Sequence, residues 1–103
     1  MAAYFVLHNR IRDGQSLDAY IPKVLETMAP YQPEVLVLDE NSEVLEGSTN
    51  FPRTIVIKFK SRADATAWYN SSEYRAVLPL RLQATEGFAV LVDGLTPEGN
   101  ETD

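Results

Sequence analysis

Three stretches of this chain, AYFVLHNRI at 3–11, EVLVLD at 34–39 and FAVLVD at 88–93, carry apolar residues at consecutive positions. In an extended strand successive side chains point to opposite faces. Tyr4 and Val6 would therefore lie opposite Phe5 and Leu7, Val35 and Val37 opposite Leu36 and Leu38, and Phe88, Val90 and Val92 opposite Ala89 and Leu91. A sheet with one solvated face alternates apolar and polar residues; these strands do not. Both faces of the sheet must then be covered, because a large exposed apolar patch is unusual on a solitary domain.

The segments between the strands supply cover for one face. After Asp13, a good N-cap, Leu17, Tyr20, Ile21, Val24, Leu25 and Met28 recur at three- and four-residue spacing, which predicts a helix from Gly14 to Ala29 with one buried face. Pro22 removes a hydrogen bond to the carbonyl of Asp18, so a kink or delayed start is expected, and Pro30 and Pro33 close the helix. EVLEG at 43–47 reads as a continuation of the extended chain, followed by a polar loop from Gly47 to Pro52 and a period-two strand, TIVIKFK, at 54–60. Ser61 opens a second helix, and Ser71 caps a further short one from Ser72 whose ladder Pro79 breaks. The order β-α-β-β-α-β is the ferredoxin-like arrangement, an α+β fold with a four-stranded antiparallel sheet and helices on one face. A second copy of the chain is the simplest cover for the other face, giving a homodimer in which two sheets meet as a dimeric α/β barrel. Residues 1–95 are expected to form this single domain, with 96–103 a flexible acidic tail.

Composition narrows the function classes. With 103 residues and no Cys, the chain has no disulfide, no thiolate nucleophile and no Cys-ligated metal, and fits a reducing cytoplasm. The formal net charge of −6 opposes nucleic acid binding, and Lys58, Lys60 and Arg62 are too few to reverse that. No apolar run is long enough to span a bilayer, and Met1 leads into AAYFVLHNR without a basic leader, so neither a membrane location nor export is expected. The acidic run at Asp39, Glu40, Asn41 and Glu43 lacks the turn Gly and terminal Glu of a calcium loop. With five Gly, none in a phosphate-binding pattern, no nucleotide cofactor is expected, and the single His excludes a His-cluster metal site.

Chemistry concentrates in AWYNSSEYRAVLPLRLQAT at 67–85. Trp68, Tyr69 and Tyr74 flank a helix break; such a trio packs a core or lines a ligand site, and a buried phenol needs a partner in either case. Arg81, beyond Pro79, can fork onto a ligand carboxylate or pair with Glu73, Glu86 or an acidic residue of a second copy. His8 is available as a general base near neutral pH, or is a strand His bonded to a carboxylate or carbonyl. A cleft between sheet and helices with His8, Tyr20, Trp68, Tyr69, Tyr74 and Arg81 nearby would bind a small anionic or aromatic metabolite, with His8 and Arg81 as catalytic candidates. The competing reading is a non-catalytic dimeric structural or binding module in which Trp68 and Tyr74 are fully buried and Arg81 is paired within the protein.

AWYNSSEYRAVLPLR, with the upstream VLEG and the closing GFAVLVDG, resembles the bacterial domain of unknown function family 1330 (DUF1330) over residues 3 to 95. The resemblance implies membership of the dimeric α/β barrel superfamily, which includes cofactor-free monooxygenases, lactone isomerases and haem proteins. Gln32-Pro33 stands where such proteins commonly have a Gly pair, Ser72 where a Pro often opens the second short helix, and the acidic LDEN at 38–41 where relatives are often basic and Gly-rich. The family implies the fold and no particular reaction.

Overall fold

The structure, a computed structural model, describes residues 1–95; the acidic tail expected at 96–103 lies outside the described residues. The elements are β1 (Ala3–Ile11), α1 (Gly14–Met28), β2 (Glu34–Asp39), β3 (Arg53–Phe59), α2 (Arg62–Tyr69), α3 (Ser72–Ala84) and β4 (Thr85–Asp93). The sheet has the order β2-β3-β1-β4 and every pairing is antiparallel, as expected of the ferredoxin-like arrangement. The helices form one layer.

Register divides the side chains between two faces. Phe5, opposite Ile57 and Leu91, and Leu7, opposite Ile55 and Ala89, point toward the helices. Tyr4, Val6 and His8 stand on the open face, opposite Lys58, Val56 and Thr54 on β3 and Val92, Val90 and Phe88 on β4. The doubly apolar pattern therefore leaves Val37, Phe88, Val90 and Val92 exposed on that face. A β-bulge between Val35 and Val37 corrects the alternation expected for β2: Val35 pairs with Ile57 and Leu38 with Ile55, so those two share the helix face, while Val37 takes the open one. One extra residue in a strand shifts all later side chains to the opposite face.

Each helix starts at a side-chain cap. Asp13 accepts from the amides of Gln15 and Ser16, Ser61 from that of Asp64, and Ser71 from that of Tyr74. Neither internal proline ends or delays its helix. Helix α1 runs through Pro22, and α3 continues past Pro79 for a total of 13 residues in place of a short helix with a break. Both prolines are exposed, so the carbonyls they free can be hydrated, which removes much of the penalty. EVLEG at 43–47 is not a strand; it belongs to a loop that Ser42 closes onto Pro52 with a 2.8 Å backbone bond. After α1 the chain turns through Gln32 at φ +49°, a left-handed conformation that favours Gly.

Trp68 fills the space between helices and sheet at 1% exposure, its ring 5.4 Å from Phe5, 5.4 Å from Phe59 and 4.2 Å from Tyr74. Its indole N–H donates to Thr27 Oγ1 at 2.9 Å, tying α2 to α1 and satisfying the one polar group that burial would strand. Among the described residues no helix is long and apolar enough to cross a membrane.

Candidate functional site

A cleft of about 150 Å³ opens between α1 and the β2–β3–β1 side of the sheet. The apolar face of α1 forms one wall through Leu17, Ile21, Val24 and Leu25, and Leu7, Ile55 and Ile57 form the other. The bulge in β2 places Val35 and Leu38 together at the rim. Leu25 and Leu38 are 56% and 57% exposed there, so the cleft communicates with solvent.

Two arginines enter this apolar lining. Arg81 from α3 is 7% exposed, and its Nε donates to the Tyr74 hydroxyl at 3.2 Å. That hydroxyl lies 3.0 Å from the Tyr20 hydroxyl, so one chain of hydrogen bonds joins α1 to α3. Glu73 and Glu86 are engaged elsewhere, Glu73 with Ser72 and Glu86 with Arg10 at 2.9 Å, and among the described residues no carboxylate pairs with Arg81. Burial by itself would lower the Arg81 pKa, but the phenol of Tyr74, followed by those of Tyr20 and Tyr69, outweighs it and the net direction is upward. Burial raises the Tyr20 phenol, reinforced by Tyr74 and opposed by Arg81. The guanidinium stays charged and the Tyr20 phenol neutral throughout the physiological range.

Arg53, 5% exposed, is the second cation. Its Nε donates to the exposed carboxylate of Glu40 at 3.3 Å and its Nη1 to Asn9 Oδ1 at 3.4 Å. The Asn9 amide must turn its oxygen toward the guanidinium, since the reverse would set donor against donor. Its Nδ2 is left buried without a partner.

The structure brings together only part of the expected set. Tyr20, Trp68 and Arg81 line the cleft, and Tyr74 stands directly behind Arg81. Tyr69 lines a separate depression with Phe5, Ala65 and Leu91, and the Arg75 guanidinium lies 4.6 Å over its ring. The placement of His8 near the cleft is corrected: strand alternation puts it on the open face, with Nδ1 3.2 Å from Thr54 Oγ1 and the ring 5.5 Å from Phe88. Arg53 and Asn9 were not singled out from the sequence, although the signal was present. Arg53 is in phase with Ile55, Ile57 and Phe59, and Asn9 with Phe5 and Leu7, so each is a polar residue on a buried strand face. Among the described residues no group of three or more His, Asp or Glu side chains is placed to hold a metal ion.

Residues 2–95 match the model of a family described as Domain of unknown function (DUF1330). The chain belongs to that family. No curated protein matches the sequence significantly. Solved structures similar to this DUF1330 chain include a protein of unknown function from Rhodopseudomonas palustris, with a TM-score of 0.78 at 15% identity over 93% of this chain and 84% of that one. SnoaB, a cofactor-independent oxygenase from Streptomyces nogalater, has a TM-score of 0.64 at 8% identity over 95% and 97% of the two chains. A dimeric ferredoxin-like protein of unknown function from a Jannaschia species has 0.62 at 13% over 91% and 100%. At these identities the likeness is one of fold.

Proposed function

We propose that this DUF1330 protein is a cytoplasmic homodimer whose residues 1–95 form a single domain with a small-molecule cleft between α1 and the sheet. The observation that carries the ligand reading is the arginine-bearing cleft: two nearly buried guanidiniums enter an otherwise apolar lining of about 150 Å³. Convergent polar groups in an apolar concavity are the usual form of a metabolite site. Native mass spectrometry of the purified protein tests both parts. A dimer carrying extra mass supports them, and a clean monomer that binds nothing from a metabolite panel overturns them.

The homodimer rests on the open face, where Val6, Val56 and Val90 form a continuous apolar row between Tyr4 and Phe88. Two such sheets meeting face to face make a dimeric α/β barrel, and the Jannaschia protein is described as dimeric. Val90→Lys places a charge in that row from each subunit and should give a monomer by light scattering. A persisting dimer would move the interface elsewhere.

The fold is shared with a cofactor-independent oxygenase, and the cleft suits chemistry of that kind: Arg81 would polarise a bound carbonyl or stabilise an enolate. Substrate-dependent turnover lost in Arg81→Ala, with the fold intact, supports an enzyme. The alternative, a non-catalytic dimeric module, draws on a specific observation: Trp68 and Tyr74 are fully buried and Arg81 is bonded to Tyr74. On that reading Arg81→Ala changes stability and no affinity.

A further inference from the structure

The two arginines are under-used by the protein itself. Among the described residues, Arg81 meets the Tyr74 hydroxyl at 3.2 Å and the Tyr20 phenol but no carboxylate, and the bonds of Arg53 are long, at 3.3 and 3.4 Å. Both arginines line the cleft, and Arg53 also borders a second depression with Arg10, Glu40 and Pro52. Glu40 is the carboxylate that touches Arg53, and its side chain is 58% exposed. The Tyr20 phenol is neutral, so among the described residues Arg81 has no carboxylate beside it and Arg53 has only the exposed one of Glu40, inside a chain of net charge −6. A guanidinium withdrawn from water is costly unless an anion with good geometry meets it.

We propose that this end of the cleft is a carboxylate subsite, formed by Arg53 and Arg81, and that the ligand is an apolar monocarboxylic acid. The inference rests on the cleft reading above and specifies its ligand class. A carboxylate offers acceptors in the planar arrangement that guanidinium forks match. Arg53, Ile55 and Ile57 are successive members of one face of β3, and Leu17 and Met28 mark the two ends of the α1 wall, so the lining runs from a cationic end to a wholly apolar one. A dry cavity of about 150 Å³ is the size that accepts one benzene ring. The enclosed part of the ligand is therefore one six-membered ring or an alkyl chain of about that bulk, and longer acids would emerge past Leu25 and Leu38. Sugar phosphates and other anions with polar bodies do not match these walls.

The test measures binding of phenylacetate, hexanoate, phenylacetamide and inorganic phosphate to the intact protein by calorimetry, with the arginine Nε–H signals followed by NMR. Phenylacetate should bind at least tenfold more tightly than phenylacetamide and shift the Arg53 and Arg81 signals. Arg53→Gln, whose weak bonds make it the safer variant to fold, should remove most of that preference. Arg81→Lys retains charge without the fork and should lose part of it. Equal binding of acid and amide overturns the carboxylate subsite while the cleft reading stands. Phosphate binding as tightly as phenylacetate overturns the apolar-acid assignment, and failure of all four probes overturns the cleft reading as well.

Discussion

Tyr74→Phe removes one oxygen from the centre of the buried chain Tyr20, Tyr74, Arg81, and its cost follows from what that oxygen touches. It lies 3.0 Å from the Tyr20 hydroxyl and 3.2 Å from Arg81 Nε, on a residue with no exposed surface. A neutral hydrogen bond contributes about 1 kcal/mol net and one from a charged donor about 1.5–3 kcal/mol, so the loss should be about 3 kcal/mol. Tyr20→Phe breaks the phenol–phenol bond but leaves the Tyr74–Arg81 bond in place, and should cost about 1 kcal/mol. After the first change the second should cost little, so the double variant should resemble Tyr74→Phe, with a coupling of about 1 kcal/mol. Urea titration at one fixed protein concentration measures all three, because association shifts apparent stability by mass action. If Tyr74→Phe and Tyr20→Phe cost the same, Arg81 is not anchored by Tyr74 and the positioning of the cleft cation has been misread.

Gly87→Ala would place a Cβ 2.1 Å from the His8 carbonyl oxygen at φ +155°. Strands β1 and β4 would have to separate, so the variant should lose upwards of about 4 kcal/mol, and a thermal melt within a few degrees of the parent would refute the Asn9–Gly87 pairing. Gln32→Gly relieves the left-handed backbone at φ +49°. Relief of about 1–2 kcal/mol, less the chain entropy Gly adds to the unfolded state, should leave a gain of about 0.5–1 kcal/mol, read as a higher urea midpoint. Tyr20 has a folded-state pKa above the ordinary value of 10.0. Its contribution is present below pH 10 and is lost as pH rises further, because the unfolded phenol ionises first. Tyr20→Phe should flatten the alkaline limb of a stability-versus-pH curve, and an unchanged limb would place the titrating group elsewhere.

The topology was legible because the signals were local and agreed: strand alternation, a 3.6-residue apolar period in α1, and Ser or Asp caps at each helix start. What failed depended on solvent or on a single inserted residue. Pro22 read as a kink or delayed start and Pro79 as a break, yet exposure of both lets water satisfy the freed carbonyls. The bulge at Val35 to Val37 has no residue signature, and it alone decides that Leu38 borders the cleft. For the site, aromatic clustering drew notice to Trp68, Tyr69 and Tyr74, but those rings chiefly pack the core and hold Arg81. Arg53 was passed over because the strand at 54–60 was begun one residue late, which hid its phase with Ile55 and Ile57, whereas Asn9 lay within the first strand in phase with Phe5 and Leu7.

The division of the sheet into two faces also limits what chemistry the cleft can perform. The polar side chains lining it are Tyr20, Trp68, Arg53 and Arg81. Each is a donor held in one protonation state near neutral pH, or an indole that does not titrate, and no carboxylate or imidazole is among them. His8, the one side chain with a near-neutral intrinsic pKa, lies across a sheet whose backbone groups are committed to the ladder, against Thr54 and Phe88. A proton taken from a ligand in the cleft therefore has no side-chain acceptor beside it, and only a ligand acidic enough to ionise when two guanidiniums face it would react there. Any turnover should then rise with substrate ionisation and be unchanged in His8→Gln. A tenfold loss in that variant, with the dimer intact, would place catalysis on the open face of the sheet and leave the arginine cleft a binding site alone.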